Sequence, residues 1–438
     1  MLKLHHQTGQ PLKTLENVRT FLDEWPPIFG RIELDTFHHQ IITRVRLPWD
    51  YDPTKTYKYP RAWTDDDRAQ LAVAAEKVLG FNAPGMLDTA FVACAADNTY
   101  HPILRYLDGL EWDGRPRLES LFIEYLGADD TEYVKAVTRK AFVAAVRRIR
   151  KPGTKFDSVP ILNGPQGIGK STFYAKLAGE WFSDSLSLGD TKDKTAAEKL
   201  QGYWIMEIGE LAGLRKAEVE TLRSFLSRQN DIYRASFGHR VTPHPRQCVF
   251  FGTTNAETGY LRDTTGNRRF WPVRTTDSAR FHSWELDQET VDQIWAETLL
   301  YVERGEKLYL NAAMELLAKQ EQLNALETDE REGVIEDYLE TPLPDKWNSM
   351  SLRDRQDFLH GEDSLVGDKL TGETRRETVC TLEIWCECLY RDRANLRRSD
   401  SNELTAILER LGWKRREKKE RIPLYGMQYL FQRGDASR

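Results

Sequence analysis

GPQGIGKST, from Gly164 to Thr172, constrains this chain more than any other feature. It follows the apolar run Ser158 to Asn163 and leads into a helical pattern from Ser171 to Leu177, so it sits where a buried strand turns into a helix. The spacing GxxxxGK[ST] at such a turn is a phosphate cradle, because its glycines let backbone N–H groups close around phosphate oxygens at a helix N-terminus. Gly164, Pro165, Gln166, Gly167, Ile168, Gly169, Lys170, Ser171 and Thr172 are therefore the expected nucleotide contacts. Lys170 is expected to reach the β and γ phosphates and Ser171 to hold Mg²⁺, which makes ATP and Mg²⁺ the predicted ligands.

Two further apolar strands, Tyr203 to Ile208 and Cys248 to Thr253, alternate with helical material and predict an α/β centre built on a parallel sheet. Glu207 lies within the first strand and Glu210 just beyond it. A buried strand seldom tolerates an unpaired acid. In a nucleoside triphosphatase, carboxylates at such a strand end hold the metal's water shell and orient the attacking water. Glu207 is thus expected at the metal and both acids in catalysis, the alternative for Glu210 being that it opens the next helix. Asn255 ends the other strand with an amide suited to a water or a γ-phosphate oxygen, or else it caps a turn. Arg268 and Arg269 follow closely; one guanidinium can reach a neighbouring subunit's nucleotide, or both form structural ion pairs. Between the two strands, Asp231 to Val241 reads as a hairpin. Arg234, His239, Arg240 and Arg246 bring charge to it, and Tyr233 and Phe237 bring rings. That mixture grips single-stranded nucleic acid, or it is an ordinary surface hairpin.

At 438 residues the chain calls for roughly two to four domains. Apolar residues at 40% and charged residues at 30% describe a globular chain, and a net charge of -6 excludes a uniformly basic DNA coat, so any nucleic-acid contact must be local. No apolar run reaches the roughly 18 residues of a spanning helix. The start, MLKLHHQTGQ, lacks the apolar stretch of a signal peptide, so a cytoplasmic protein without membrane contact is expected. The five cysteines are odd in number and predict no disulfide framework, and Cys380, Cys386 and Cys388 lack the second half of a zinc site. The expected domains are 1–150, largely helical after residue 60, with a possible oligomerisation role; 151–335, carrying the cradle; a linker at 336–377; and 378–438.

The motifs YLDGLEWDGR (Tyr106 to Arg115), PGTKFD (Pro152 to Asp157), GPQGIGKST, WIMEIGEL, PRQCVFFGTTN and LRDTTGNRRFWPV, in that order, resemble the virulence-associated protein E family of phage- and island-encoded proteins, related to superfamily 3 helicases. The resemblance covers roughly Tyr100 to Val273 strongly. It implies an AAA+-like core that assembles as a homo-oligomeric ring, usually a hexamer, with nucleotide between subunits and DNA in the pore. Carried over by position, Lys170 and Ser171 form the first motif, Glu207 and Glu210 the second, Asn255 the sensor, His239 with Arg240 the hairpin tip, and Arg268 or Arg269 the finger. The acids here are three apart, where many superfamily 3 members have them adjacent. Some relatives carry a primase domain, but no such arrangement precedes Pro152, and Asp65, Asp66 and Asp67 read as a solvated helix start. The C-terminal segment resembles a winged helix whose Lys414, Arg415 and Arg416 are candidate DNA contacts, for instance at a replication origin, unless the charge run is a solvated face. The implied function is an ATP-driven DNA helicase replicating a phage or mobile element on single-stranded or forked DNA. The alternative is an ATP-gated initiator or loader that recruits a host helicase and does not itself unwind.

Overall fold

The computed structural model describes residues 1–52, 54, 56–186, 195–209, 216–233, 241–256, 259–261, 267–326, 331–360 and 372–434. Contacts divide the chain into two units, Met1–Leu326 and Glu327–Arg438.

The first unit begins with helix α1 (Leu15–Glu24) and a small sheet of β1 (Glu33–Asp35), β2 (Gln40–Thr43) and β3 (Arg61–Ala62), followed by α2 (Asp65–Leu79), α3 (Pro84–Asp97) and β4 (Thr99–Tyr100). The sheet order is β3-β2-β1-β4. Val18, Phe21, Ile41, Trp63, Leu71 and Phe91 make its core. Thr14 and Thr64 cap α1 and α2 by accepting backbone N–H groups that the first helical turn leaves free. The solvated start expected for α2 holds for Asp65 and Asp66 only. Asp67 is buried, because it closes a capping box with Thr64 and accepts from Arg61 and the Trp49 indole.

Next come α4 (Pro102–Asp108), α5 (Leu121–Leu126) and α6 (Glu132–Arg150), then the main sheet: β5 (Val159–Asn163), α7 (Lys170–Ala178), β6 (Phe182–Ser183), α8 (Thr195–Lys199), β7 (Ile205–Ile208) and α9 (Lys216–Leu226). A hairpin of β8 (Asn230–Tyr233) and β9 (Thr242–Pro245) precedes β10 (Val249–Thr254), β11 (Phe270–Arg274), α10 (Gln288–Glu303) and α11 (Ala312–Asn324). The five main strands run parallel in the order β11-β5-β10-β7-β6. Alternate residues of each strand enter different cores, as the two-residue period demands. Leu162, Ile205, Phe251 and Trp271 pack with α6, α7 and α10, whereas Ile161, Met206, Phe250 and Phe270 pack with α8 and α9. The α/β centre expected from the sequence is therefore present.

The boundary expected at 150/151 is not a break in packing. Helix α6 is buried nearly all round and shares one core with the sheet that follows it. Arg148, 1% exposed, donates to the carbonyls of Thr154, Phe156 and Cys248, so the helix is stapled to both the segment after it and β10. Among the described residues no single helix is long and apolar enough to cross a membrane; the bent pair α2 and α3 comes nearest, and it buries Leu71, Leu79 and Phe91 in the N-terminal core.

The second unit contains α12 (Arg331–Glu340), α13 (Leu352–His360), β12 (Thr378–Val379), α14 (Thr381–Glu383) running into a π-helical turn (Ile384–Cys388), α15 (Arg398–Arg410), β13 (Trp413–Ile422) and β14 (Gly426–Arg433). Its antiparallel sheet has the order β12-β14-β13. The linker expected at 336–377 needs correction, since α12 lends Ile335, Tyr338 and Leu339 to this core; residues 361–371 lie outside the described residues. Arg355 donates to Glu387 at 2.6 Å, and Tyr338 and Tyr425 donate to the same carboxylate, which is fully buried. Mixed charge disguised a buried network as a solvated tether.

Candidate nucleotide-binding site

Strand β5 ends at Asn163 and the chain turns sharply at Gly164 before α7 begins at Lys170. Neighbouring β11 continues into Thr275, whose N–H donates to the Asn163 carbonyl at 2.8 Å, and a Cβ at Gly164 would overlap the Thr275 carbonyl. Gly169 has φ 90°, a left-handed conformation that side chains resist, and a Cβ there would lie 2.9 Å from Ser283. The two glycines are thus required by approach and by backbone angle. Pro165, Gln166 and Gly167 are exposed along the loop, Ile168 and Gly169 are half-buried, and Ser171 and Thr172 are exposed in the first turn of α7.

Lys170 is 7% exposed. Its ammonium donates to the carbonyls of Gly164 and Pro165 at 2.8 Å each and to Asn255 Oδ1 at 3.1 Å. Burial lowers its pKa, and the nearby Glu207 opposes that shift. Ser171 Oγ donates to Glu207 Oε1 at 2.7 Å, and Thr253 Oγ1 donates to the same oxygen. Glu207 Oε2 is buried and has no hydrogen-bond partner. A buried carboxylate oxygen left bare is costly, and with the Ser171 hydroxyl beside it the oxygen donor set fits a hard divalent cation.

These contacts follow from topology. Strand β10 lies between β5 and β7, pairing Thr254 with Asn163 and Phe251 with Glu207. The carboxyl ends of three parallel strands therefore converge on the loop. Lys170, Ser171, Glu207 and Asn255 are brought together. Glu210 lies outside the described residues.

The two arginines part company. Arg269 Nε donates to Asp157 Oδ2 at 3.0 Å within the same chain. Burial raises the Asp157 pKa, but Lys155 and Arg269 outweigh it and hold the carboxyl below its usual range. Arg268 is exposed in the same 3₁₀ turn. At the hairpin, the strands pair in register from Asn230 with Pro245 to Tyr233 with Thr242. Arg234, Phe237, His239 and Arg240 lie outside the described residues.

The free charge expected of Arg246 needs correction. It is 2% exposed, grips Asp231 through two hydrogen bonds of 2.8 and 2.6 Å, and covers Phe225 and Phe250. Tyr233 is likewise buried, stacked on His244 at 4.0 Å, with His39 of the N-terminal sheet 4.6 Å from His244. Its ring anchors the hairpin base. On the second unit, Lys414 and Arg415 are exposed on β13, with the Arg415 guanidinium 3.8 Å over Tyr429. Arg416 is partly spent on Glu420 and Gln432.

Sequence reasoning missed Thr253 and Thr275, the hydroxyl and backbone partners that orient the site. The polar ending of two apolar strands, Thr253-Thr-Asn255 and Thr275-Thr276, was the available signal.

No curated protein matches this sequence. Solved structures of the NrS-1 C-terminal region in its apo form are similar to it, at 12% identity and TM-score 0.39 over 92% of this chain and 96% of that one. A second such structure gives 12% and 0.39 over 92% and 95%. The model of the virulence-associated protein E-like domain matches residues 107–327, half of the chain, a range that includes the Gly-rich loop, Glu207, Asn255 and the paired arginines. By that match the chain belongs to the virulence-associated protein E-like family.

Proposed function

We propose that this protein is an ATPase of AAA+ type that drives a ring-shaped, hexameric DNA helicase in the manner of superfamily 3, in the replication of a phage or mobile element. The observation that carries the ATPase reading is the meeting of Lys170, Ser171, Glu207 and Asn255 at the Gly-rich loop, with one Glu207 oxygen unpartnered. Ser171 and Glu207 are the residues that would hold Mg²⁺. When bound, the ion supplies charge neutralisation at the phosphates. Lys170 would exchange its carbonyl partners for phosphate oxygens, and Asn255 would position a water or γ-phosphate oxygen. With Glu207 committed to Ser171 and Thr253, Glu210 is the better candidate for orienting the attacking water.

Arg268 is the proposed finger, since Arg269 is engaged by Asp157 in cis. A guanidinium offered to the neighbouring subunit's nucleotide makes hydrolysis depend on assembly. DNA contacts are assigned to the hairpin tip, with Arg234, His239 and Arg240, and to the basic strand β13, with Lys414, Arg415 and Arg416. That strand carries six Lys or Arg against two Glu over Trp413–Ile422, enough local charge for phosphate contact in a chain of net charge -6.

Lys170→Ala is expected to abolish ATP turnover while the protein stays folded; turnover at the wild-type rate would remove the site assignment. ATP-dependent strand displacement from forked DNA separates the helicase from the initiator or loader. DNA binding that responds to ATP without displacement would favour the loader.

A further inference from the structure

Beside the phosphate cradle lies an aromatic stack that none of the motifs accounts for. The loop after β11 carries His282, Ser283 and Trp284, with the His282 and Trp284 rings 4.3 Å apart and inclined by only 12°. Trp284 is 53% exposed, an unusual state for so large an apolar ring. Ser283 between them is fully buried against Gly169, and the Trp284 ring lies 3.8 Å from the point a Cβ of Gly169 would occupy. The Ser283 hydroxyl is buried without a hydrogen-bond partner. The stack is therefore pinned to the last glycine of the cradle.

It is also held rigid from both ends. Upstream, Thr276 N–H donates to the Leu126 carbonyl and Phe281 N–H to the Glu124 carbonyl, and the Phe281 ring packs 5.5 Å from Tyr125, all on α5. Downstream, Leu286 is buried and Asp287 caps α10 through Thr290 N–H at 2.8 Å. The turn itself closes when His282 N–H donates to Glu285 at 2.8 Å. Two aromatic rings fixed in parallel by such anchors are preorganised, so stacking a third ring costs little ordering entropy.

We infer that His282 and Trp284 form the platform on which the base of the bound nucleotide stacks, with a purine as its ligand class. The inference rests on the proposed ATP site, because it is the triphosphate in the Gly164–Thr172 loop that delivers the base to Trp284. Phosphate recognition by the loop and base recognition by the platform are then separate devices. A stacked face, unlike a hydrogen-bonded edge, accepts adenine and guanine alike.

The test is equilibrium binding of ATP, GTP and inorganic tripolyphosphate to the full chain, for wild type, Trp284→Ala, Trp284→Phe and Lys170→Ala. The platform predicts that Trp284→Ala weakens ATP and GTP by about tenfold, the scale of base–aromatic stacking, and leaves tripolyphosphate unchanged. Trp284→Phe should recover most of the loss, and Lys170→Ala should weaken all three ligands. Wild-type ATP affinity in Trp284→Ala, with Lys170→Ala impaired, overturns the platform alone. Loss of tripolyphosphate along with ATP in Trp284→Ala would mark the ring as a support of the loop and overturn it too. Wild-type protein that binds none of the three overturns the phosphate cradle and the platform together.

Discussion

Glu207 accepts two hydroxyl hydrogen bonds on one oxygen and leaves the other bare. The asymmetry supports the proposed role: the first oxygen is fixed by protein, and the second is the one proposed to face the metal. Glu207→Gln keeps an acceptor for Ser171 and Thr253 but removes the charge. It is expected to reduce ATP turnover by about 10²-fold or more while ATP still binds; turnover within a few-fold of wild type would exclude Glu207 from the site. A second residue-scale prediction concerns His39, whose pKa burial, reinforced by His244, lowers from 6.5 to about 4 against the opposing pull of Asp35. Its unfolded state takes up a proton first as pH falls, so the stability it contributes is full above pH 6.5 and is lost between there and about pH 4. His101 and His244 are also lowered by burial and add to the same slope. The melting temperature should fall across that window, and His39→Asn, which tolerates the left-handed backbone at φ 51°, should flatten the fall. An unchanged slope would contradict the assignment. At this scale the Gly-rich loop was legible from its spacing, and Glu207 and Asn255 from their places at the ends of apolar strands, and the structure brings the three together. It did not disclose Trp284 or Arg246, because a lone ring or cation acquires its meaning only from the partners that folding supplies.

Elements were legible where their period was long and uniform. Strands β5, β7 and β10 were readable as apolar runs, and α2 by its acidic start, but β6 has only two residues and carries no periodic signal. The hairpin was legible as a shape, but the buried roles of Tyr233 and Arg246 were not. Its base is a buried device in which Arg246 pairs with Asp231 over the Phe225 and Phe250 rings, and Tyr233 stacks on His244. Removing one partner of a buried pair strands the other charge, so Arg246→Met should lower unfolding stability by about 3–5 kcal/mol, with Asp231→Asn in the same chain recovering part of it. Urea unfolding measures both; a loss below about 1 kcal/mol would place the pair at the surface. The second unit poses the same problem. Arg355 and Arg376 lie within a mixed-charge stretch that reads as linker, yet both are buried, with Trp347 beneath both guanidiniums.

For the whole molecule, helix α6 joins the cradle's sheet in one core, and the division falls at Leu326 instead of before the Gly-rich loop. A fragment of residues 1–326 is expected to fold and bind ATP, and residues 327–438 to melt as a separate cooperative unit. A fragment 1–326 that cannot fold by circular dichroism would contradict that division. Assembly is the remaining level. If Lys170 acts in its own subunit and Arg268 in its neighbour's, each single variant disables every site of a ring, but mixing the two creates interfaces in which both residues are intact. The most direct test is therefore ATP turnover by Lys170→Ala and Arg268→Ala proteins, assayed separately and after co-assembly at equal amounts with single-stranded DNA. A site completed across the subunit boundary predicts near-zero activity for each alone and recovery towards about a quarter of wild type in the mixture. A mixture as inactive as its components, or an Arg268→Ala protein fully active alone, would contradict it.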